Sequence, residues 1–427
     1  MDPIKTIKAK QNQSILSSKE IDFLVSSYSN NQITDEIMTE FLKAVKENGM
    51  NMDETISLTK TMIDSGEKMD FSHLKSYVAD KHSTGGVGDK VSLILGPLMA
   101  SLGITIPMIA GRSLGHTGGT IDKLETIPGF KTDLSIQEFK NCIEKIGLCI
   151  MSQTDSICPA DKKMYALRDV TNTIDSMPLI CGSIMSKKIA EGIRGLVLDI
   201  KIGNGAFMRN LKDGKDLASK LMKVGSAFNV STDVIYSNMD QPLGRTAGMW
   251  CEVNESINAM NSEGAEDLMN VVYNLGTKML LQAKIVKSAT EARQIQIENI
   301  RNGKALKKFQ QMVKNQSGQI DLGPNINNPS FLHEVISEHD GYVSAFDTTA
   351  IGWALVELGC GRKKSGDVLD NSAGIEFCAK VGEKVKKGEA IFRCFGSRKS
   401  KLKNAVNLIE NTFRISDEKV KKPEPIY

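Results

Sequence analysis

Between residues 81 and 90 the chain reads KHSTGGVGDK, and between 110 and 125 it reads AGRSLGHTGGTIDKLE. Both stretches mix glycines with hydroxyl side chains, the composition of a loop that turns backbone N–H groups toward an anion. The first fits neither the P-loop pattern nor GxGxxG, so alone it says little. Two such loops following neighbouring elements can face one another across a phosphate. Lys81 would then supply the full positive charge, and Ser92 and Thr120 would supply directional donors. A third group lies further along: Asp161, Tyr165 and Arg168 stand at i, i+4 and i+7, and Ser183 and Lys187 at i and i+4. Together with His82 they would form a donor-rich patch with no fixed acid. Such a patch suits a neutral heterocycle whose carbonyl oxygens become anionic during reaction. The plainer alternatives are two unrelated tight turns and two amphipathic helices with solvated charges.

These groups must be positioned by a chain with two textures. The first 65 residues read as helical: a start at Ser17–Glu20 is followed by Ile21, Phe23, Leu24 and Val25, and further starts fall at Asp35 and Asp53. From about residue 78 short apolar runs at 104–110, 147–151, 195–200 and 233–237 alternate with helical stretches, which predicts an α/β unit with a largely parallel sheet. Two helices are expected within 159–193, and long helices at 210–228 and 264–315. Residues 318–330 form a Gly/Asn/Pro-rich connector. Beyond it a strand near 341 and a glycine-turn pair of strands within 372–396 mark a different unit. That last element is similar to the small barrel of biotinyl and lipoyl carriers, without the carrier's modified-lysine context.

Composition excludes several function classes. The 54 basic and 51 acidic residues nearly balance, and aromatic residues make up only 5%, so the clustered basic and aromatic surface of a nucleic-acid binder is not expected. The basic run Arg398–Lys403 reads as a solvated helix face. Eight cysteines form no CxxC pair and read as reduced core thiols. The N-terminus has no apolar segment of signal-peptide type, which makes a cytoplasmic location the expectation. Residues 91–111 carry no charge over a membrane-spanning length, but Gly96-Pro97, Gly103 and Pro107 interrupt them. A buried helix near 91–102 and a core strand near 104–110 fit better than a membrane span.

The motifs KHSTGGVGD, GRSLGHTGGTIDKLE, MSQTD, PADKKMYALRDVT and SIMSKK follow one another in an order and spacing that resembles the pyrimidine-nucleoside phosphorylase and thymidine phosphorylase family over essentially the whole chain. The resemblance implies a homodimer of α/β class, with a small all-helical domain over residues 1–65 completed by inserted helices at about 160–193. A larger mixed α/β phosphate-binding domain with a central sheet would fill 66–330, and a C-terminal α/β subdomain with the barrel-like element 331–427. It implies phosphorolysis of uridine, thymidine and deoxyuridine to the free base and α-(deoxy)ribose-1-phosphate, with no organic cofactor. Lys81, Ser83, Ser92 and Thr120, with Met108 to Ala110 alongside, match the family's phosphate ligands. His82, Arg168, Ser183 and Lys187 match its base-binding residues, with His82, Arg168 and Lys187 as the catalytic set. The base is held by the helical domain, and closure of a cleft brings the reactants together.

Two positions depart from the family's pattern. Ala110 stands where relatives have Ser, which removes one phosphate hydrogen bond, worth about 1–2 kcal/mol. Lys90 stands where relatives have Thr in a potassium site shared with Gly88, Leu243, position 246 (Thr246) and Glu255. Either the Lys90 ammonium occupies the cation position and pairs with Glu255, dispensing with potassium, or Lys90 points to solvent and the ion still binds. The competing readings are a thymidine-restricted phosphorylase, an anthranilate-phosphoribosyltransferase-like enzyme and a nucleoside-binding protein without turnover. The SIMSKK and DQPLG stretches resemble those of bacterial enzymes that accept both uridine and thymidine.

Overall fold

The computed structural model describes residues 1–113, 115–319, 326–364 and 366–427. Leu114 of the second glycine loop and residues 320–325 of the connector lie outside the described residues. The chain forms two compact units, one from residues 1–80, 153–196 and 215–233 and the other from 81–152, 197–214 and 234–427. The C-terminal segment thus belongs to the second unit, and the helix at 211–227 is counted largely with the first.

The first unit opens with four helices: α1 (Pro3–Gln11), α2 (Ser18–Ser29), α3 (Asp35–Asn48) and α4 (Met52–Asp64). Capping boxes start two of them, Ser17 with Glu20 at α2 and Asn51 with Glu54 at α4, each satisfying backbone donors that a helix end leaves unpaired. The third sequence-predicted start at Asp53 therefore falls two residues inside the true cap. Glu54 also accepts from the Lys10 ammonium and from the Leu16 amide, both at 2.8 Å, which ties α1 to α4 in a buried ion pair. Leu24, Phe41, Leu58, Met164 and Leu179 share one core.

The chain continues through β1 (Ala79–Ser83), α5 (Val91–Ser101), β2 (Ile106–Ala110), α6 (Thr120–Leu124), α7 (Ile136–Ile146) and β3 (Leu148–Ser152). Then follow α8 (Pro159–Val170), α9 (Met177–Ala190), β4 (Gly195–Ile202), α10 (Leu211–Ala227) and β5 (Ser231–Asn238). Strands β1, β4 and β5 form a sheet in the order β1-β4-β5, while β2 and β3 pair in parallel from Ile106↔Leu148 to Ala110↔Ser152. The uncharged stretch 91–111 divides into α5 and β2, and among the described residues no helix is long and apolar enough to cross a membrane.

After β6 (Thr246–Gly248) come α11 (Trp250–Asn258), α12 (Glu266–Gln282), α13 (Ala289–Arg301) and α14 (Lys304–Asn315). The expected long helix over 264–315 is therefore three helices. The breaks fall where the backbone turns left-handed, at Lys284 (φ 56°) and Gly303 (φ 73°). The remaining elements are β7 (Phe331–Ile336), β8 (Gly341–Phe346), α15 (Thr348–Leu358), β9 (Gly374–Phe377), β10 (Lys384–Val385), β11 (Ala390–Gly396), α16 (Lys399–Ile409) and β12 (Phe413–Ser416). They build two small sheets, ordered β6-β9-β11-β7 and β10-β8-β12, with antiparallel pairing. Phe392 sits at the centre of their shared core, 5.5–5.9 Å from the rings of Phe346, Phe377 and Phe413.

Candidate active site

In the second unit the two glycine loops come together. Strand alternation places Lys81 and Ser83 on one face of β1 and His82, half-buried, on the other. The buried Lys81 ammonium stands 3.4 Å from Ser92 Oγ, and Ser92 is the second residue of α5. Both loop residues meet Asp89, an acid that the motif reading does not single out. Ser83 Oγ donates to Asp89 Oδ2 at 2.5 Å, and Lys81 Nζ lies 3.7 Å from Oδ1. The second loop is fastened to the first by Lys123, whose ammonium donates to the Asp89 carbonyl at 3.0 Å and pairs with Glu252 at 2.5 Å. A side chain at Gly85, where φ is +88°, would lie 3.4 Å from Thr117 Oγ1, so the two loops are in direct contact.

Charge is concentrated here with little solvent. Lys201 is fully buried, 2.7 Å from Asp199 and 3.9 Å from Asp89. Burial opposes ionisation of Asp89, but Lys201, Lys81 and the Ser83 hydroxyl outweigh it and hold its carboxyl far below the usual range. Burial likewise opposes the charge on Lys201, and Asp199 with Asp89 raises its pKa regardless. The result is a hydrogen-bonded array that holds the Lys81 side chain between Ser92 and Asp89. Ion pairs of Arg112 with Asp122 and Glu125, and of Arg362 with Asp122, brace the second loop. Only glycine fits at 119, because an added Cβ would fall 2.2 Å from the Ser113 nitrogen. Thr120 is the first residue of α6. The Met108 side chain is buried in the core, so only its backbone could serve an anion, and Ala110 ends β2 half-buried without a hydroxyl.

In the first unit α8 and α9 carry the other set. α9 packs on α4 so closely that a side chain at Gly182 would lie 3.3 Å from Leu58. Lys187 donates to Ser183 Oγ at 2.9 Å and forms a close ion pair with Asp161 of α8. The expected absence of a fixed acid is therefore corrected. Asp161 is buried to 2% side-chain exposure, and its i+7 relation to Arg168 shows only that it shares that face. Arg168 is 1% exposed and spends three donors on backbone carbonyls: Nε to Thr173 O at 3.3 Å, Nη1 to Leu179 O at 3.2 Å and Nη2 to Ile174 O at 2.7 Å. It thus pins the α8–α9 turn, and burial lowers its pKa from the usual guanidinium value. Tyr165 lies beside it, the guanidinium carbon 5.5 Å from the ring centre. Next to Lys187, Lys188 forms a buried cluster with Asp80 and Glu191, another network that residue spacing does not reveal.

A family model described as a glycosyl transferase helical bundle domain matches residues 4–66, and the companion a/b domain matches 75–306. A third, the pyrimidine nucleoside phosphorylase C-terminal domain, matches 342–416. A pyrimidine-nucleoside phosphorylase from Geobacillus stearothermophilus is 40% identical over 430 residues, covering 100% of this chain and 99% of the relative. The chain belongs to the pyrimidine-nucleoside phosphorylase family. A second phosphorylase of the family, from Staphylococcus epidermidis, is 41% identical over 92% of this chain and 91% of its own length. The fold is shared more widely than the phosphorylases. The crystal structure of an anthranilate phosphoribosyltransferase from Thermus thermophilus superposes with a TM-score of 0.59 over 73% of this chain and 99% of its own, at 13% identity. At that identity only the architecture is shared.

Proposed function

We propose that the protein catalyses phosphorolysis of pyrimidine nucleosides, uridine, thymidine and deoxyuridine among them, in the cytoplasm and as a homodimer. The observation that carries the reading is the Lys81, Ser83 and Ser92 cradle, held by Asp89 in a chain that matches phosphorylases from end to end. A phosphate oxygen attacks C1′ of the sugar on the face opposite the base. The C1′–N1 bond breaks and its electron pair leaves with the pyrimidine, so the product is the inverted α-sugar-1-phosphate. Arg168 and Lys187 offset the negative charge that develops on the base oxygens, and His82 donates a proton to O2. Ser183 orients Lys187. Alignment of two substrates supplies much of the acceleration.

A phosphoribosyltransferase reading rests on the fold alone, whereas the C-terminal match is specific to the phosphorylases. Incubation with uridine or thymidine is expected to release free base only when inorganic phosphate is added. Release that needs no phosphate, or no release under either condition, contradicts the reading. Gel filtration with light scattering is expected to give twice the 46.7 kDa of the single chain.

A further inference from the structure

The family resemblance implies a potassium ion among Gly88, position 90, Leu243, Thr246 and Glu255. The side chains present do not fit one. Lys90 is 1% exposed, which excludes a solvent-pointing side chain. Its ammonium donates to the Leu243 carbonyl at 2.8 Å and lies 3.1 Å from Glu255 Oε2. The Glu255 carboxylate also accepts from the Arg245 amide at 2.7 Å, the Thr246 amide at 2.8 Å and the Thr246 hydroxyl at 2.6 Å. The Gly88 carbonyl accepts from the Lys90 amide at 2.9 Å. Every implied ligand is thus engaged by a protein donor or, for Thr246, acts as a donor itself. A side chain at Gly244 would lie 2.7 Å from the Lys90 nitrogen, so the turn closes tightly over it.

A second ammonium completes the arrangement. Lys380 donates to the Pro242 and Gly244 carbonyls, the latter at 2.9 Å, and pairs with Asp267 at 3.0 Å. The carbonyls of 242–244 therefore accept from two lysine side chains, and burial lowers the pKa of Lys380 while Asp267 opposes that shift. Burial opposes the charge on Lys90, but Glu255, Glu252 and Asp267 more than compensate and raise its pKa. A free alkali ion at the same point would meet the Lys90 ammonium at a buried position, where repulsion is weakly screened.

We propose that the Lys90 ammonium is a covalently attached replacement for a monovalent cation, so that this chain organises the 86–90 loop and the 243–246 turn without potassium. The consequence reaches the phosphate cradle. Lys90 follows Asp89, which holds Ser83 and Lys81, and it precedes α5, which presents Ser92. A Lys90→Thr variant would reopen the cation position and create a potassium requirement that the natural chain lacks.

The test compares the natural protein and Lys90→Thr after exhaustive dialysis into tetramethylammonium buffer, with and without potassium chloride. Thermal unfolding is read first, because it does not depend on the proposed activity, and the phosphate KM of uridine phosphorolysis second. The natural protein is expected to show the same midpoint and KM in both buffers. Lys90→Thr is expected to gain a saturable rise in midpoint with potassium and, without it, a phosphate KM raised about tenfold, the equivalent of losing one charge-assisted hydrogen bond. A midpoint that depends on potassium in the natural protein overturns the proposal even if the variant does not fold. A folded Lys90→Thr indifferent to potassium overturns it as well. Failure of the activity reading alone would leave the unfolding comparison intact and would count against the proposed function instead.

Discussion

With Lys81 in its proposed phosphate-binding role, Lys81→Met is expected to lower kcat/KM for phosphate roughly 100- to 1,000-fold, the usual cost of removing a preorganised group at a reacting anion. Methionine keeps most of the buried volume, so the effect is not one of cavity formation. The carboxylate left behind remains partnered, because Asp89 keeps Ser83 at 2.5 Å and the Lys201 ammonium at 3.9 Å. Stability should therefore fall much less than it would if an acid were stranded. Steady-state kinetics against phosphate, with a thermal melt alongside, separates the two effects. A variant with unchanged dependence on phosphate would remove Lys81 from the cradle.

The second large effect is at Lys187, where structure and chemistry are entangled. Lys187→Met leaves Asp161, whose side chain is 2% exposed, without its ion-pair partner. A loss of about 2–3 kcal/mol is expected, below that of a fully buried pair because Lys187 itself is 24% exposed. The turnover number should fall roughly 100- to 1,000-fold if, as proposed, Lys187 is the cation that stabilises the leaving pyrimidine. Adding Asp161→Asn removes the stranded charge. The double variant is expected to recover most of the stability and none of the rate. Recovery of the rate in the double variant would show that Lys187 serves only to neutralise Asp161. Denaturant unfolding together with kcat for all three proteins decides between the two.

The contrast between these residues shows where sequence reading reaches its limit. Lys81, Ser83 and Ser92 are legible because hydroxyls and glycines clustered in a short stretch already define a donor-lined loop. The division of 91–111 into α5 and β2 is legible because Gly96-Pro97 and Gly103 break an apolar run. Asp89 lies inside the same motif, yet its role depends on Lys201, which approaches from β4. Asp161 reads in sequence as one residue of a helix face. Its partner is 26 positions away on α9, and α8 and α9 share a core with the N-terminal helices. The family resemblance assigns Arg168 to the base alone, and nothing in its spacing shows that three of its donors hold the turn at 173–179. Buried ion pairs are decided by tertiary proximity, and a periodic pattern along one element carries no record of the other partner.

Most of the fold follows from apolar periodicity, and the misses have local causes. The helix over 264–315 reads as continuous because Lys284 gives no hint of a left-handed backbone. Its second break, at Gly303, is an ordinary helix punctuator set within a strongly amphipathic stretch. The start of α4 is ambiguous in sequence because Asn51 and Asp53 are both good caps, and the pairing of Asn51 with Glu54 decides between them.

The central claim is that phosphate is the attacking nucleophile. Uridine incubated with phosphate labelled with oxygen-18 at all four positions, followed by phosphorus NMR, tests that directly. The expected product is α-ribose-1-phosphate retaining all of the label, including the oxygen that bridges to C1′, with uracil formed in equal amount. Free ribose accompanied by unconsumed labelled phosphate, or a β-linked sugar phosphate, would contradict it.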